Sequence, residues 1–287
     1  MSTNSTELAK EALEKSLEVR EENGYDFRSP LCVYDLAAKV GVTVRFTDDI
    51  SSMEGVYAAL KQPKIVLSSL RPLPRRNFTC AHELGHHFFG HGSTIDELRE
   101  DAASSNRPPN EILADAFAGY LLMPAQAIKR AFSSRGLDMI NATPEQVYLI
   151  SSSFGVGYET IVDHLAFGLR YITPARAESL KKSKLPQLRE KILGFTSKEP
   201  LVIADAYHAM GTIDAEVGSL ILLPPGAKAE GGHVELSKEI PAGCVFKAIR
   251  PGLARVTTKD WGIMVRVSKF QYAGLAHYRH LEDTDND

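Results

Sequence analysis

The chain contains few cysteines and no long apolar run, and both features restrict its class. Its three cysteines, Cys32, Cys80 and Cys244, are widely spaced and form no C-x-x-C pair. An odd, sparse set predicts reduced thiols and not a disulfide framework. No run of eighteen apolar residues occurs, and the first residues are polar and acidic, without an apolar secretory core. We therefore expect a cytoplasmic protein with no membrane partner.

A strong excess of charge is also missing. The formal net charge is −3 over 287 residues, so the chain has no bulk attraction to nucleic acid. Its 44% hydrophobic and 24% charged residues are ordinary for a globular protein. We expect no direct nucleic-acid partner, and the length allows one large domain or two modest ones.

The most informative feature present is the run His82-Glu83-Leu84-Gly85-His86, an H-E-x-x-H pattern. The surrounding apolar spacing predicts an amphipathic helix from Arg75 to Phe89 that ends at Gly90 and Gly92. Histidines four apart share one helix face, so both imidazoles can reach one metal ion. A catalytic zinc lowers the pKa of bound water to about 7, and Glu83 then stands where it can take the proton.

The alternative is a solvated helix face, since a five-residue pattern with two wildcards also occurs by chance. The apolar context argues against it, because a buried histidine pair beside a glutamate is costly unless something satisfies it. Cys80 precedes the motif by two residues, which turns it to another helix face and predicts a buried structural thiol.

A third ligand is expected from the next helix, which Pro108 and Pro109 begin and Pro124 ends. Glu111 and Asp115 are four residues apart on this helix. In such a pair one carboxylate binds zinc and the other accepts an N–H from a ligand histidine. The alternative is that Glu111 only favours the helix N-terminus through the dipole. The H-E-x-x-H run one loop upstream favours the metal interpretation.

The two motif blocks resemble those of the ImmA/IrrE family of bacterial and phage metallopeptidases. The first block is the stretch from Arg75 to His87, and the second is Glu111-x-x-x-Asp115-x-Phe117-Ala118-x-x-Leu121-Leu122-Met123-Pro124. The resemblance implies that His82, His86 and Glu111 are zinc ligands and that Glu83 is the catalytic base. It also implies a protein substrate that is a DNA-binding helix-turn-helix repressor, in a stress or mobile-element response.

Short strands are predicted ahead of the motif helix, at 42–46, 55–60 and 64–68. A free sheet edge can pair with an extended substrate and hold its scissile carbonyl over a metal. We predict that Ile65–Ser68 is this edge. The residue that stabilises the oxyanion is not fixed by the sequence, and Tyr57 and His87 are the candidates.

Residues 144–170 predict two helices with a break between them, as in a helix-turn-helix. The second helix runs from Tyr158 to Leu169, with Glu159, Thr160, Asp163 and His164 predicted as exposed. It carries no lysine or arginine before Arg170. Because base and phosphate contacts depend on such side chains, we interpret this pair as a packing subdomain.

The predicted fold class is α+β, in three parts. A zincin-like peptidase core with a small sheet covers residues 1–140, and a helical, helix-turn-helix-like extension with a linker covers 141–195. A β-rich C-terminal module covers 196–287, with a helix predicted from Pro200 to Met210 before its strands. The predicted function is a zinc metalloendopeptidase. The alternatives are a catalytically silent metal-binding sensor and a DNA-binding regulator acting through residues 144–170.

Overall fold

The computed structural model describes residues 3–49, 53–97, 108–208 and 211–281. Contacts within the chain divide it into two compact units. The first unit comprises the chain up to Lys129 together with Gln271–His277, and the second comprises Arg130–Phe270 together with the chain from Tyr278 onward. The three-part division at residues 140 and 195 stays a prediction.

The elements of the first unit alternate between helices and short strands. In chain order they are α1 (Thr3–Glu22), α2 (Val33–Lys39), β1 (Thr43–Thr47), β2 (Met53–Ala58), β3 (Lys64–Ser68), α3 (Leu73–Phe89), β4 (Thr94–Glu97), α4 (Pro109–Leu122) and α5 (Ala125–Ser133), whose last turn lies past Lys129.

The second unit has helices first and strands after them. Its helices are α6 (Pro144–Ser153), α7 (Tyr158–Asp163), a π-helical turn (His164–Gly168), α8 (Pro174–Lys181) and α9 (Leu185–Leu193). Its strands are β5 (Leu201–Ile203), β6 (Thr212–Glu216), β7 (Leu220–Leu223), β8 (Lys228–Glu230), β9 (Val234–Ile240), β10 (Gly243–Ala248), β11 (Gly252–Thr257) and β12 (Gly262–Ser268). The chain then returns to the first unit with β13 (Gly274–Leu275) and ends its described part after a 3₁₀ turn (Ala276–Tyr278).

The sheet of the first unit has the strand order β13-β1-β3-β2-β4. β3 pairs parallel with β1 and antiparallel with β2, so it lies in the interior of the sheet. The prediction that Ile65–Ser68 forms a free edge is therefore wrong. Ile65 and Leu67 are fully buried, as the apolar run of a strand covered on both sides requires.

The N-terminal helix packs on α4. Ala12, Ser16, Val19 and Arg20 are buried on α1, whereas Leu8 and Leu17 are half-buried. The Arg20 side chain donates through Nε to the carbonyl of Leu121 at 2.9 Å, at the end of α4. A fully buried guanidinium is tolerated because backbone carbonyls satisfy its donors.

The second unit contains two four-stranded sheets, β5-β7-β10-β9 and β6-β12-β11-β8. The predicted α+β class with a β-rich C-terminal part is thus confirmed. The predicted helix from Pro200 to Met210 is wrong over its described residues, because Leu201–Ile203 pairs in parallel with β7. Residues 209 and 210 lie outside the described part of the chain.

The two helices predicted within residues 144–170 are present as α6 and α7, and the second continues as the π-helical turn. Glu159 is exposed as predicted, whereas Thr160 and Asp163 are half-buried and His164 is buried, with 8% of its surface accessible. Within the described ranges, no helix is both long and apolar enough to cross a membrane.

Candidate metal centre

The H-E-x-x-H run lies on α3, whose ends follow from the sequence. Pro72 precedes the helix and Pro74 lies in its first turn. The N–H groups of a first turn have no acceptor within the helix, so the N–H that proline lacks costs no helical hydrogen bond. Gly90 ends it in the left-handed conformation, with φ of 66°. The helix is buried along most of its middle, including Cys80, whose predicted burial is confirmed.

Helix α4 carries the two acidic residues and lies close against α3. Pro108 and Pro109 begin it and Pro124 follows it, as predicted. The two helices are in close contact at Gly85, where an added Cβ atom would lie 3.0 Å from the Cα atom of Ala114. This close contact lets the side chains of α4 reach the histidines of α3.

Three predicted ligands meet between these helices. The Nε2 atoms of His82 and His86 are 3.0 Å apart. Glu111 Oε2 lies 3.5 Å from His82 Nε2, and Glu111 Oε1 lies 3.5 Å from His86 Nε2. One ligand atom from each of the three residues lies within 4.8 Å of the others, a group that could hold one metal ion.

The charges around this group favour a cation at its centre. Burial disfavours protonation of His82, but its hydrogen bonds with Asp115 and Glu111 outweigh burial and raise its pKa to about 10. Burial and the neighbouring His82 cation lower the pKa of His86 to about 4. The pair therefore carries one positive charge at neutral pH, on His82. The carboxylates that stabilise this charge would stabilise a metal cation in the same way.

Each histidine has a partner at its other ring nitrogen. His82 Nδ1 lies 2.8 Å from Asp115 Oδ1. A carboxylate at this position can accept the Nδ1–H of a ligand histidine and orient its ring. His86 Nδ1 lies 2.8 Å from Nδ1 of His91. Burial lowers the pKa of His91 below its usual value.

Glu83 is fully buried and its carboxylate is confined on two sides. The hydroxyl of Thr94, at the start of β4, donates to Glu83 Oε2 at 3.0 Å. A Cβ atom added to Gly55 on β2 would lie 2.9 Å from Glu83 Oε1 and 2.6 Å from Thr79 Cγ2. The glycine on β2 therefore leaves the room that the Glu83 side chain occupies.

The two candidates for oxyanion stabilisation are hydrogen-bonded to each other. Tyr57 Oη lies 2.8 Å from His87 Nδ1. Burial raises the pKa of Tyr57 and lowers that of His87, so both groups are neutral at neutral pH. A phenol in this state can donate a hydrogen bond.

Sequence reasoning missed Gly55, His91 and Thr94. His91 carries a local signal, because it directly follows the glycine that ends the motif helix. Gly55 and Thr94 carry no such signal, because they reach Glu83 from strands that the helix contacts only after folding.

Residues 37–165 match the family model Peptidase_M78, described as the IrrE N-terminal-like domain. The match includes every residue of the metal group and ends before the β-rich strands. It confirms the resemblance stated from the two motif blocks, and the family is one of metal-dependent peptidases.

No curated protein matches the chain. One solved structure that matches is a Mycobacterium tuberculosis transcriptional regulator, with 18% identity and a TM-score of 0.36 over 56% of this chain. The chain spans about half of that protein, 46% of its length. This similarity is too weak to indicate a fold or a function.

Proposed function

Because residues 37–165 belong to the ImmA/IrrE family, we propose that the protein is a zinc-dependent endopeptidase. The observation that carries the proposal is the convergence of His82, His86 and Glu111, whose ligand atoms lie within 4.8 Å of one another. Two imidazoles and one carboxylate are a donor set of catalytic zinc sites, which leave a fourth position open. The buried Glu83 between the histidines supplies the carboxylate that such a site needs.

The residues around the group have separate tasks in peptide hydrolysis. A zinc ion held by the three ligands would supply a Lewis acid that polarises a carbonyl and acidifies water. Glu83 accepts a proton from the attacking water and passes it to the leaving amine. Thr94 keeps the Glu83 carboxylate oriented through its hydroxyl, and Asp115 holds the His82 ring through Nδ1. Tyr57 is the candidate donor to the oxyanion.

The substrate is proposed to bind as an extended strand along β4. This strand is the last in the order of its sheet among the described residues, and Thr94 on it contacts Glu83. Main-chain pairing at a sheet edge holds a peptide without demanding one sequence. Pairing along β4 would place an extended chain next to the carboxylate that performs the proton transfer.

The substrate class rests on the family resemblance, which points to a DNA-binding repressor in a stress or mobile-element response. A DNA-binding role for residues 144–170 has no comparable support. Helix α7 presents Glu159 to solvent and has neither lysine nor arginine in its sequence. An exposed carboxylate repels a phosphate backbone, and no positive side chain of this helix offsets it.

The test is a pair of substitutions measured for zinc content and for cleavage of a co-encoded repressor. Glu83→Gln should keep about one zinc per chain and lower the cleavage rate by roughly 10²- to 10⁴-fold, since an amide cannot accept the proton. His82→Ala should lose most of the zinc, because a three-ligand site would be reduced to two. Glu178→Gln, at an exposed position of α8, is the matched control and should change neither quantity.

A wild-type protein without zinc would overturn the proposed metal site. Normal cleavage by Glu83→Gln would place the general base elsewhere. Zinc binding without cleavage of the repressor by the wild type would instead support the catalytically silent sensor.

A further inference from the structure

His86 has a hydrogen-bond partner of a different kind from that of His82. The Nδ1 atom of His82 contacts a carboxylate oxygen of Asp115 at 2.8 Å. The Nδ1 atom of His86 contacts another imidazole, Nδ1 of His91, at the same distance of 2.8 Å. The ring centroids of His86 and His91 are 5.0 Å apart. The proposed function assigns no role to His91.

The end of α3 places His91 beside His86. The backbone N–H of His91 donates to the carbonyl of His86 at 3.1 Å, and the N–H of Gly90 donates to the carbonyl of His87 at 3.2 Å. This pair of bonds, with Gly90 left-handed at φ of 66°, forms a Schellman motif that turns the chain back over the last helical turn. The ring of Phe89 stacks on His91 with a centroid distance of 5.6 Å. Backbone and side-chain contacts thus both restrain the His91 ring.

The positions of the protons in this contact follow from metal binding by His86. A histidine that binds a metal through Nε2 needs its lone pair there, so a neutral ring carries its proton on Nδ1. The His86 Nδ1–H then donates, and His91 Nδ1 accepts. The proton of His91 must accordingly lie on its own Nε2 atom.

We propose that His91 is a positioning residue that fixes the tautomer and ring orientation of His86 for metal binding. The proposal rests on the proposed zinc site and adds a residue to it. A partner at the second nitrogen orients a ligand histidine and raises its basicity, and its loss weakens metal binding by about 10- to 100-fold. Asp115 and His91 are then equivalent supports, one for each ligand histidine.

The test compares the zinc dissociation constants of full-length His91 variants, measured by competition with a chelator. His91→Ala should bind zinc about 10- to 100-fold more weakly than the wild type. His91→Asn should recover most of this loss, because its side-chain oxygen can lie near the place of Nδ1 and accept the same proton. His277→Ala, at an exposed position, is the control and should bind zinc as the wild type does.

A second measurement separates positioning from a merely structural role. The melting temperatures of the metal-free proteins should agree for the wild type, His91→Ala and His91→Asn. Nitrogen NMR of the zinc-loaded wild type should find the His91 proton on Nε2.

The outcomes distinguish this proposal from the proposed function. Wild-type zinc affinity in His91→Ala overturns the positioning role and leaves the zinc site intact. Equal loss of affinity in both variants, with equal loss of metal-free stability, also overturns it. Absence of zinc binding by the wild type overturns the proposed function and the role of His91 together.

Discussion

At the scale of single residues, the properties of the metal centre depend on how its buried charges are compensated. Two imidazole nitrogens 3.0 Å apart cannot both be protonated, and burial disfavours a charge on either ring. The carboxylates of Glu111 and Asp115 compensate for one positive charge, from two directions. Glu111 lies 3.5 Å from both Nε2 atoms, where a metal would bind, whereas Asp115 lies 2.8 Å from Nδ1 of His82. The first position suits a metal ligand and the second suits a residue that orients a ligand.

Glu111 and Asp115 should therefore respond differently to substitution. Glu111→Ala should lower zinc occupancy sharply, because the Glu111 oxygens lie 3.5 Å from both histidine Nε2 atoms. Asp115→Ala should weaken affinity or activity about 10- to 100-fold yet reach one zinc per chain at saturating metal, because Asp115 lies 2.8 Å from His82 Nδ1, which is not the nitrogen that would bind the metal. Zinc titration followed by elemental analysis measures both effects.

The exposed Asp48 provides the control for this pair, as Asp48→Ala removes a carboxylate outside the site. If the ranking of Glu111 and Asp115 were reversed, Asp115 would be the ligand and the assignment on α4 would be wrong by one helical turn.

At the scale of elements, the site depends on how closely α3 and α4 approach. Gly85 faces the backbone of Ala114, and the histidines and Glu111 project from the two helices on either side of this contact. Replacing Gly85 by alanine has two opposite effects. Helix propensity gains about 1 kcal/mol, whereas overpacking costs about 1–3 kcal/mol.

Gly85→Ala should consequently change stability only modestly but weaken zinc binding clearly. An added Cβ atom 3.0 Å from Ala114 Cα forces the helices apart, and Glu111 moves away from the histidines with α4. Thermal unfolding of the metal-free protein and zinc competition would measure the two effects separately. Gly211→Ala is the control, since an added Cβ atom meets nothing within 4 Å there. Unchanged zinc affinity in Gly85→Ala would show that the helices adjust without moving the ligands.

The elements also show which features the sequence could predict. The bounds of α3 and α4 follow from local signals, namely prolines at their starts and Gly90 or Pro124 at their ends. The pairing of His82, His86 and Glu111 follows from helical spacing and the motif resemblance.

Other features depend on contacts distant in sequence. β3 is interior because β1 pairs with its other side, a fact that Ile65–Ser68 alone does not encode. Leu201–Ile203 becomes a strand because β7 offers a parallel partner about twenty residues later. The support of Glu83 by Gly55 and Thr94 arises in the same way, from strand order.

At the scale of the whole molecule, the end of the chain contributes to the unit that holds the metal group. β13 pairs antiparallel with β1, with Arg45 opposite Leu275 and Phe46 opposite Gly274. The Tyr272 ring packs edge-on against Phe46 with a centroid distance of 6.3 Å. The sequence alone predicts that a chain ending near residue 195 folds and binds zinc, because every proposed ligand precedes that point. Such a chain lacks β13, so β1 would present an unpaired edge.

A chain ending at residue 195 should bind one zinc but unfold at a lower temperature than the full-length protein and aggregate more readily. It keeps His82, His86 and Glu111, while the loss of β13 removes both backbone pairing and the cover over Phe46. Full-length Tyr272→Ala isolates the aromatic part, which is worth about 0.5–1.5 kcal/mol beyond its buried area. Calorimetry of the zinc-loaded proteins measures the unfolding temperatures. That of Tyr272→Ala should lie between those of the full-length protein and the shortened chain. If the shortened chain unfolds at the same temperature as the full-length protein and aggregates no more readily, β13 does not stabilise the first unit. The metal-binding part of the chain is then complete without it.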